Sequence, residues 1–546
     1  MRRLIWTLIA MTAVSVFLFA ILPASPASVD TSGWHDLAAR TVQGAYHVHS
    51  TRSDGHGDKR TIAAAAARAG LTFVILTDHG DGTRPADSPE YMDGVLMLDA
   101  VEISADAGHY VALDMRPAPY PLGGAGAAVV EDVARLGGLG IAAHPDSPKP
   151  ALRWTDATSP IDGLEWINAD SEWRDETGVT LARAGLAYFL RPAGALASLL
   201  DRPATLDRWD ALLRNRRVIA LGASDAHGGP GSRIEDANRT LFSTIGIPSY
   251  EASFRELSLR VILERPLSTD AGLDARLVFE AIRKGSVFTT IDSLATPALL
   301  DFHASPSGAT VTLVARATLP RGGELVLIGP AGELTRGSGE IRREVPAEAA
   351  GAYRVEGRVA GAPGQPPVPW LVSNPIVIGT LAGGASPSET SNRTDRDTLP
   401  AEIAPFPWRI EKDPVSQASL RAGAHSAEFD YRLAEGDRAS QYAALASDVS
   451  GQRFRAVELA LTARRPSRIA VQVRTADGHR WGTSFFVDER VHLIHAALAE
   501  MREFGDPDGR SPDPAAVTSI LLVVDLTNAA PGQSGRFTIE SSALVK

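Results

Sequence analysis

The chain has 546 residues, 44% of them hydrophobic and 22% charged, and a net charge of −11 at pH 7. One hydrophobic core rarely grows past roughly 250–300 residues, so several domains are expected, and this composition excludes wholesale disorder and a polytopic membrane protein. With no cysteine and 13 histidines, the chain has no disulfides, cysteine nucleophiles, iron–sulfur clusters or Cys-type zinc sites, and any metal must bind His and carboxylate ligands.

The acidic balance and scattered arginines disfavour nucleic acid as a partner. Arg2 and Arg3 precede an uncharged stretch from Leu4 to Leu22, about 28 Å of helix at 1.5 Å per residue. Residues 1–28 read as an export segment, either a signal peptide cleaved after Ser25 and Ala27 at −3 and −1 or a retained membrane anchor. Both outcomes put the rest of the chain outside the cytoplasm: periplasmic, secreted, or anchored and facing outward.

From 40 to 300 the pattern is α/β. Strands are expected at 42–47, 72–77, 96–104, 110–114, 140–143, 163–167 and 218–223, with helices at 60–69, 127–136, 180–200 and 206–215. After Leu300 short alternating runs and Gly/Pro turns predict a small β-sandwich over 301–380, ending in Trp370-Leu-Val-Ser-Asn-Pro-Ile376. Residues 381–400 are Gly-, Ser-, Thr-, Asp- and Pro-rich, a linker by composition, and 401–546 alternate again as a β jelly roll.

Eight histidines lie within the first 227 residues, and most sit at predicted strand ends. His47-Val48-His49 closes the first strand and is followed by Ser50-Thr-Arg-Ser-Asp54-Gly55; residues i and i+2 of an extended strand share a face, so both imidazoles reach one metal. Thr77-Asp78-His79 ends the second strand, Glu102 the third, and His109 opens the fourth. His144 ends the fifth and Ser224-Asp225-Ala226-His227 the last. One such residue is ordinarily a strand-end cap or a satisfied core histidine. Six imidazoles and three carboxylates on one rim need a cation, because clustered carboxylates repel and buried polar groups need partners. Nine N and O ligands fit three divalent metals, with Zn, Mn and Fe(II) all open.

These motifs, H-V-H-S-x-x-S-D-G, T-D-H, E-I-S with G-H-Y, A-H-P and S-D-A-H, resemble the polymerase and histidinol phosphatase (PHP) superfamily over residues 42–300. The resemblance implies a distorted (β/α)7 barrel holding a trinuclear centre. It implies one metal on His47, His49, Glu102 and Asp225, a second on Asp54, His79 and His227, and a third on Glu102, His109 and His144. His56 is an alternative to Asp54. The implied activity is hydrolysis of a small phosphorylated molecule by a metal-bound hydroxide, with Asp225 and His227 as candidate catalytic helpers. Arg84, Arg233 and Asn168 are candidate substrate contacts, with Asn168 alternatively a support behind the ligands, and Trp173 is a candidate stacking ring. His492 and His495 are read as structural. The jelly roll is similar to galactose-binding-like carbohydrate modules, so glycan or cell-envelope contact is an expected partner, as is the membrane if the first segment is retained. Two rival functions remain: a nuclease or nucleotide phosphodiesterase, and a surface glycan-binding protein.

Overall fold

The computed structural model describes residues 22–229, 247–383, 406–423, 426–437, 440–504 and 510–546, with Trp6 and Met11. Most of Leu4–Leu22, most of the 381–400 linker and Arg233 lie outside the described residues. No described helix is long and apolar enough to cross a membrane.

Eight strands position the histidine motifs: β1 Thr41–Val48, β2 Phe73–Leu76, β3 Val95–Asp99, β4 Val101–Ala105, β5 Gly108–Leu113, β6 Leu139–Ala142, β7 Gly163–Asn168 and β8 Ile219–Ala223. They divide between two sheets. One runs β8-β7-β6-β5-β4; the other carries β1, β2 and β3 beside Ser258–Ile262 and Val287–Thr290. The single strand expected at 96–104 is two, because the chain bends at Ala100. Its first half pairs parallel with β2 and its second antiparallel with β5. That bend carries the chain from one sheet to the other. At the opposite edge an isolated bridge, Val48↔Ala226, joins β1 to the segment after β8, and His79↔Glu102 joins the sheets at the bend.

The regular (β/α)7 repeat is therefore not what the strand pairing shows. β5 runs antiparallel to both neighbours, and only a tight turn, with no helix, separates it from β4. The molecule is mostly β, with few helices. The helix expected at 180–200 is also two, Gly178–Tyr188 and Pro192–Ala197. Pro192 lacks the N–H needed to continue a helix but suits the first turn of a new one. Lys59–Ala69 forms where expected, capped by Asp58 accepting from the Thr61 amide and ended by Gly70 at φ 80°.

The boundary expected at 300 does not interrupt the sheet. Val287–Thr290 pairs with Leu371–Ser373, which pairs with Gly351–Arg358, so the ladder runs on into 301–380. A shared core includes Trp166 and Phe288 from one side and Leu313, Val355 and Trp370 from the other. The Trp370–Ile376 motif acts as a rivet. Asn374 accepts from the Ala220 amide at 2.7 Å and donates to the Ala220 and Val287 carbonyls at 2.9 and 3.0 Å. These bonds satisfy backbone groups that no ladder reaches.

The C-terminal residues form two sheets, of six and five strands, around their own core of Phe429, Leu459, Val471, Leu522 and Phe537. The module docks on the helix Gly126–Arg135. Arg468, fully buried, donates to both Asp132 oxygens at 3.0 Å and to Glu131 at 2.9 Å.

Candidate metal centre

The backbone is unusual where the site is built. Among the described residues only five non-glycines have positive φ, and three are His47 (62°), His144 (48°) and Asp225 (44°). Left-handed backbone at non-glycine residues is a local strain that surrounding structure must hold in place. The β1–β2 register shifts between Tyr46 and Val48. The simple pleat argument for His47 and His49 therefore fails. A bulge and a left-handed turn at His47, rather than strand alternation, bring both rings to one centre.

Glu102 and Asp225 lie at the middle, both buried. Glu102 Oε2 is 3.3 Å from His47 Nε2, 3.3 Å from His49 Nε2 and 3.1 Å from His79 Nδ1. Its Oε1 accepts from His109 Nδ1 at 2.8 Å and lies 3.1 Å from His144 Nε2. Asp225 Oδ1 is 3.4 Å from His47 Nε2 and 3.2 Å from His49 Nε2. Asp54 reaches His227 Nε2 at 3.4 Å and His79 Nε2 at 3.6 Å through Oδ2, and His49 Nδ1 at 3.3 Å through Oδ1. All nine sequence-predicted ligands thus converge. His56, exposed, instead places Nδ1 3.2 Å from the His227 carbonyl and joins no cluster.

The electrostatics are those of a preformed cation site. Burial pushes the Glu102 carboxyl up, but the surrounding imidazoles outweigh it and hold it well below the usual carboxylate range. Asp225 behaves the same way. Burial lowers His49, yet Asp225 and Glu102 raise it to about 10.

Hydrogen bonding does not satisfy the cluster. His47 Nε2, Asp54 Oδ1, Glu102 Oε2, His144 Nδ1 and Nε2, and Asp225 Oδ1 are buried without a hydrogen-bond partner. An orphaned buried polar atom costs about 1–3 kcal/mol, and five neighbouring side chains carry such atoms, which marks a place for a ligand that accepts lone pairs. A divalent ion fits a donor set of imidazole N and carboxylate O. Side-chain atoms within 4.8 Å of one another form the groups His47/His49/Asp225, His49/Asp54/His227, His49/His79/Glu102 and Glu102/His109/His144.

Comparison with known proteins gives little. No family model matches the chain, and no curated protein matches it. Solved structures resemble it in part. A two-domain protein containing a predicted PHP-like metal-dependent phosphoesterase from Bacteroides vulgatus is 15% identical over 65% of this chain and 99% of its own, with a TM-score of 0.29. The family 11 carbohydrate-binding module of Clostridium thermocellum, in complex with a β-1,3-1,4-mixed-linked tetrasaccharide, is 14% identical over 25% of this chain and 88% of its own, with a TM-score of 0.21. TmCBM61, in complex with β-1,4-galactotriose, is 13% identical over 26% and 91%, with a TM-score of 0.17. The assignment of a metal site rests on the side chains themselves.

A fifth group, His47/His144/Glu165, contains a residue that the motifs did not single out. Glu165, fully buried, lies 2.5 Å from His47 Nδ1, and its Oε2 accepts from the His144 amide at 3.0 Å. One carboxylate therefore holds two of the three left-handed residues and leaves His47 Nε2 free to ligate. The available signal was a charged residue inside the otherwise apolar run Gly163–Ile167. Glu165→Gln is expected to weaken metal binding by about 10–100-fold, the range for partners that orient a ligating histidine. Titration with Mn²⁺ followed by metal analysis checks it, and unchanged affinity would remove Glu165 from the centre.

Asn168 is buried behind the ligands. It donates to Glu165 at 2.8 Å and accepts from the Ser171 amide, so it caps the short helix Ala169–Glu172 and holds Glu165. Arg84 is tied to Asp99 at 2.6 Å and Asp87 at 3.0 Å, and Arg52 bonds the same two carboxylates. Trp173 donates to Asp170 and lies under Arg174. Asp78 accepts from the Ser50 amide and from the Ser50 and Ser53 hydroxyls, which fixes the loop that presents Asp54. His492 pairs with Asp488 and His495 with Glu458, and neither belongs to a metal-type group.

Proposed function

We propose that the chain is an exported metal-dependent hydrolase of phosphate esters, acting on a small phosphorylated molecule at a trinuclear centre. The observation that carries this reading is the convergence of nine N and O ligands, six of whose buried atoms lack partners. We assign His47, His49, Glu102 and Asp225 to one ion, Asp54, His79 and His227 to a second, and Glu102, His109 and His144 to a third, with Zn²⁺, Mn²⁺ or Fe²⁺ as occupant. Bound there, divalent ions would polarise phosphoryl oxygens and acidify water.

The protein's own part is positional. His47, His49, Glu102 and Asp225 are buried, whereas the His79 side chain is 33% exposed and Asp54 17%, so the open side lies over these two. A phosphoester enters from that side. The buried floor excludes water, which strengthens each charge interaction at the reacting phosphate. His227, whose Nε2 lies 3.4 Å from Asp54 Oδ2, and Asp225 behind it, 3.8 Å from His227 Nδ1, are the proposed proton-handling groups for the leaving oxygen.

Protein loaded with Mn²⁺ or Zn²⁺ is expected to hydrolyse a generic aryl phosphate. Chelation should abolish the activity, and metal should restore it. Loaded protein inactive on a broad panel of phosphoesters would sink the proposal. The C-terminal module is proposed as an accessory glycan- or envelope-contacting unit, to be tested on a glycan array with the full chain.

A further inference from the structure

Exposed apolar side chains are unevenly spread. Val179 (82% exposed), Leu186 (54%), Phe189 (66%) and Leu190 (57%) fall within one short stretch. The other large exposed ones described beyond residue 22, Leu273, Ile410, Val415, Val491 and Phe504, are scattered. At about 100° per residue, the four lie on one stripe of the helix Gly178–Tyr188 and its last turn. The opposite face, Ala184, Ala187 and Tyr188, is buried. The stripe is thus an addition to a helix that already has its core contact.

The N-terminal segment meets the body at this same hairpin. Leu22 packs against the cluster of Ala187, Tyr188 and Ala195. The Pro23 carbonyl accepts from Arg191, and Pro23 lies so close to Gly194 that a Cβ there would fall 2.9 Å from its ring. Beyond it Ala27–Ser28 pairs with Ala295–Thr296. The uncharged run Leu4–Leu22 therefore ends at a fixed point on this hairpin, with Leu22 on Ala187 and Tyr188 and the next residue, Pro23, bonded to Arg191. About 20 apolar residues span the roughly 30 Å hydrocarbon core, so a bilayer holding this run would meet the hairpin first.

We propose that Val179, Leu186, Phe189 and Leu190 rest in the interfacial layer of a lipid bilayer, beside a retained N-terminal anchor. Arg191, at the end of the stripe, is half-buried and holds the Pro23 carbonyl. The site tolerates this role because apolar side chains gain burial in lipid that the folded chain does not give them.

The absence of cysteine makes the test direct. Full-length chains carrying Phe189→Cys, Leu190→Cys or, as a control, Val415→Cys are labelled with an environment-sensitive fluorophore. They are then reconstituted in phosphatidylethanolamine and phosphatidylglycerol vesicles with brominated acyl chains. Labels at 189 and 190 should shift to the blue and lose most of their emission, and the label at 415 should do neither. Three results would overturn the proposal: no quenching at 189 and 190 in vesicle-bound chain; a blue shift independent of bromine and lost on dilution, which means a second copy covers the face; or protein from cells that begins after Ala27. The exposed double variant Phe189→Asp/Leu190→Asp should keep its fold and phosphoesterase rate while losing the lipid contact.

Discussion

Replacing Glu102 by Gln is expected to empty the centre of metal and abolish phosphoester hydrolysis. The side chain keeps its shape, so the loss is one of charge. Glu102 contacts five imidazoles, those of His47, His49 and His79 through one oxygen and His109 and His144 through the other. An amide presents an NH₂ where one oxygen stood and cannot share a lone pair among them. Affinity should fall beyond the roughly 10–100-fold typical of outer partners, because the residue serves two of the proposed ions. Metal analysis after dialysis reads the first effect. The second readout is thermal: wild-type protein should gain stability on adding Mn²⁺, since any ligand that binds only the folded state stabilises it, and the variant should not. Full metal content in Glu102→Gln would refute the bridging role.

Arg468→Met should loosen the docking of the C-terminal module. Arg468 is buried, and its fork grips Asp132, itself 2% exposed. Removing one partner of a buried pair costs about 3–5 kcal/mol because the other is left uncompensated. The lower end is expected, since Asp132 also accepts from Tyr120 and Arg135 at 2.8 Å. Urea unfolding of the full chain, with limited proteolysis between the modules, measures it. Restoration by Asp132→Asn in the same chain would support the pair, and an Arg468→Met midpoint equal to wild type would discount it.

The pH dependence has a definite sign. Burial raises the Asp132 carboxyl, but Arg468 outweighs it and holds the carboxyl below its ordinary value. The contribution is then fully present above the unfolded value of about 3.9 and lost as pH falls through the lower folded one. The gap between wild type and Arg468→Met should therefore be largest at neutral pH and shrink as the pH falls through the carboxylate range.

The members of the cluster were legible because H-x-H, T-D-H and D-A-H place chemically unmistakable side chains at predicted strand ends, and strand existence follows from local apolar runs. Glu165 was not legible as a partner of His47, since 118 residues separate them. The partners of Arg84 and Asn168 were equally hidden. Their chemistry suits phosphate, but Asp87 and Asp99 claim one and Glu165 the other. Sequence distance conceals such competition.

Residue chemistry and local pattern alone determined that this chain carries a cysteine-free set of histidines and carboxylates on an α/β region followed by β modules. Only the tertiary structure decided how the cluster closes. The left-handed turns at His47, His144 and Asp225, the bend at Ala100 that joins two sheets, and the sheet that runs unbroken past residue 300 each depend on contacts between distant segments. Local preference opposes left-handed backbone at these residues, so the strain persists only because Glu165 and the strand neighbours hold it. A reading confined to neighbours in sequence sees the preference and cannot see the restraint.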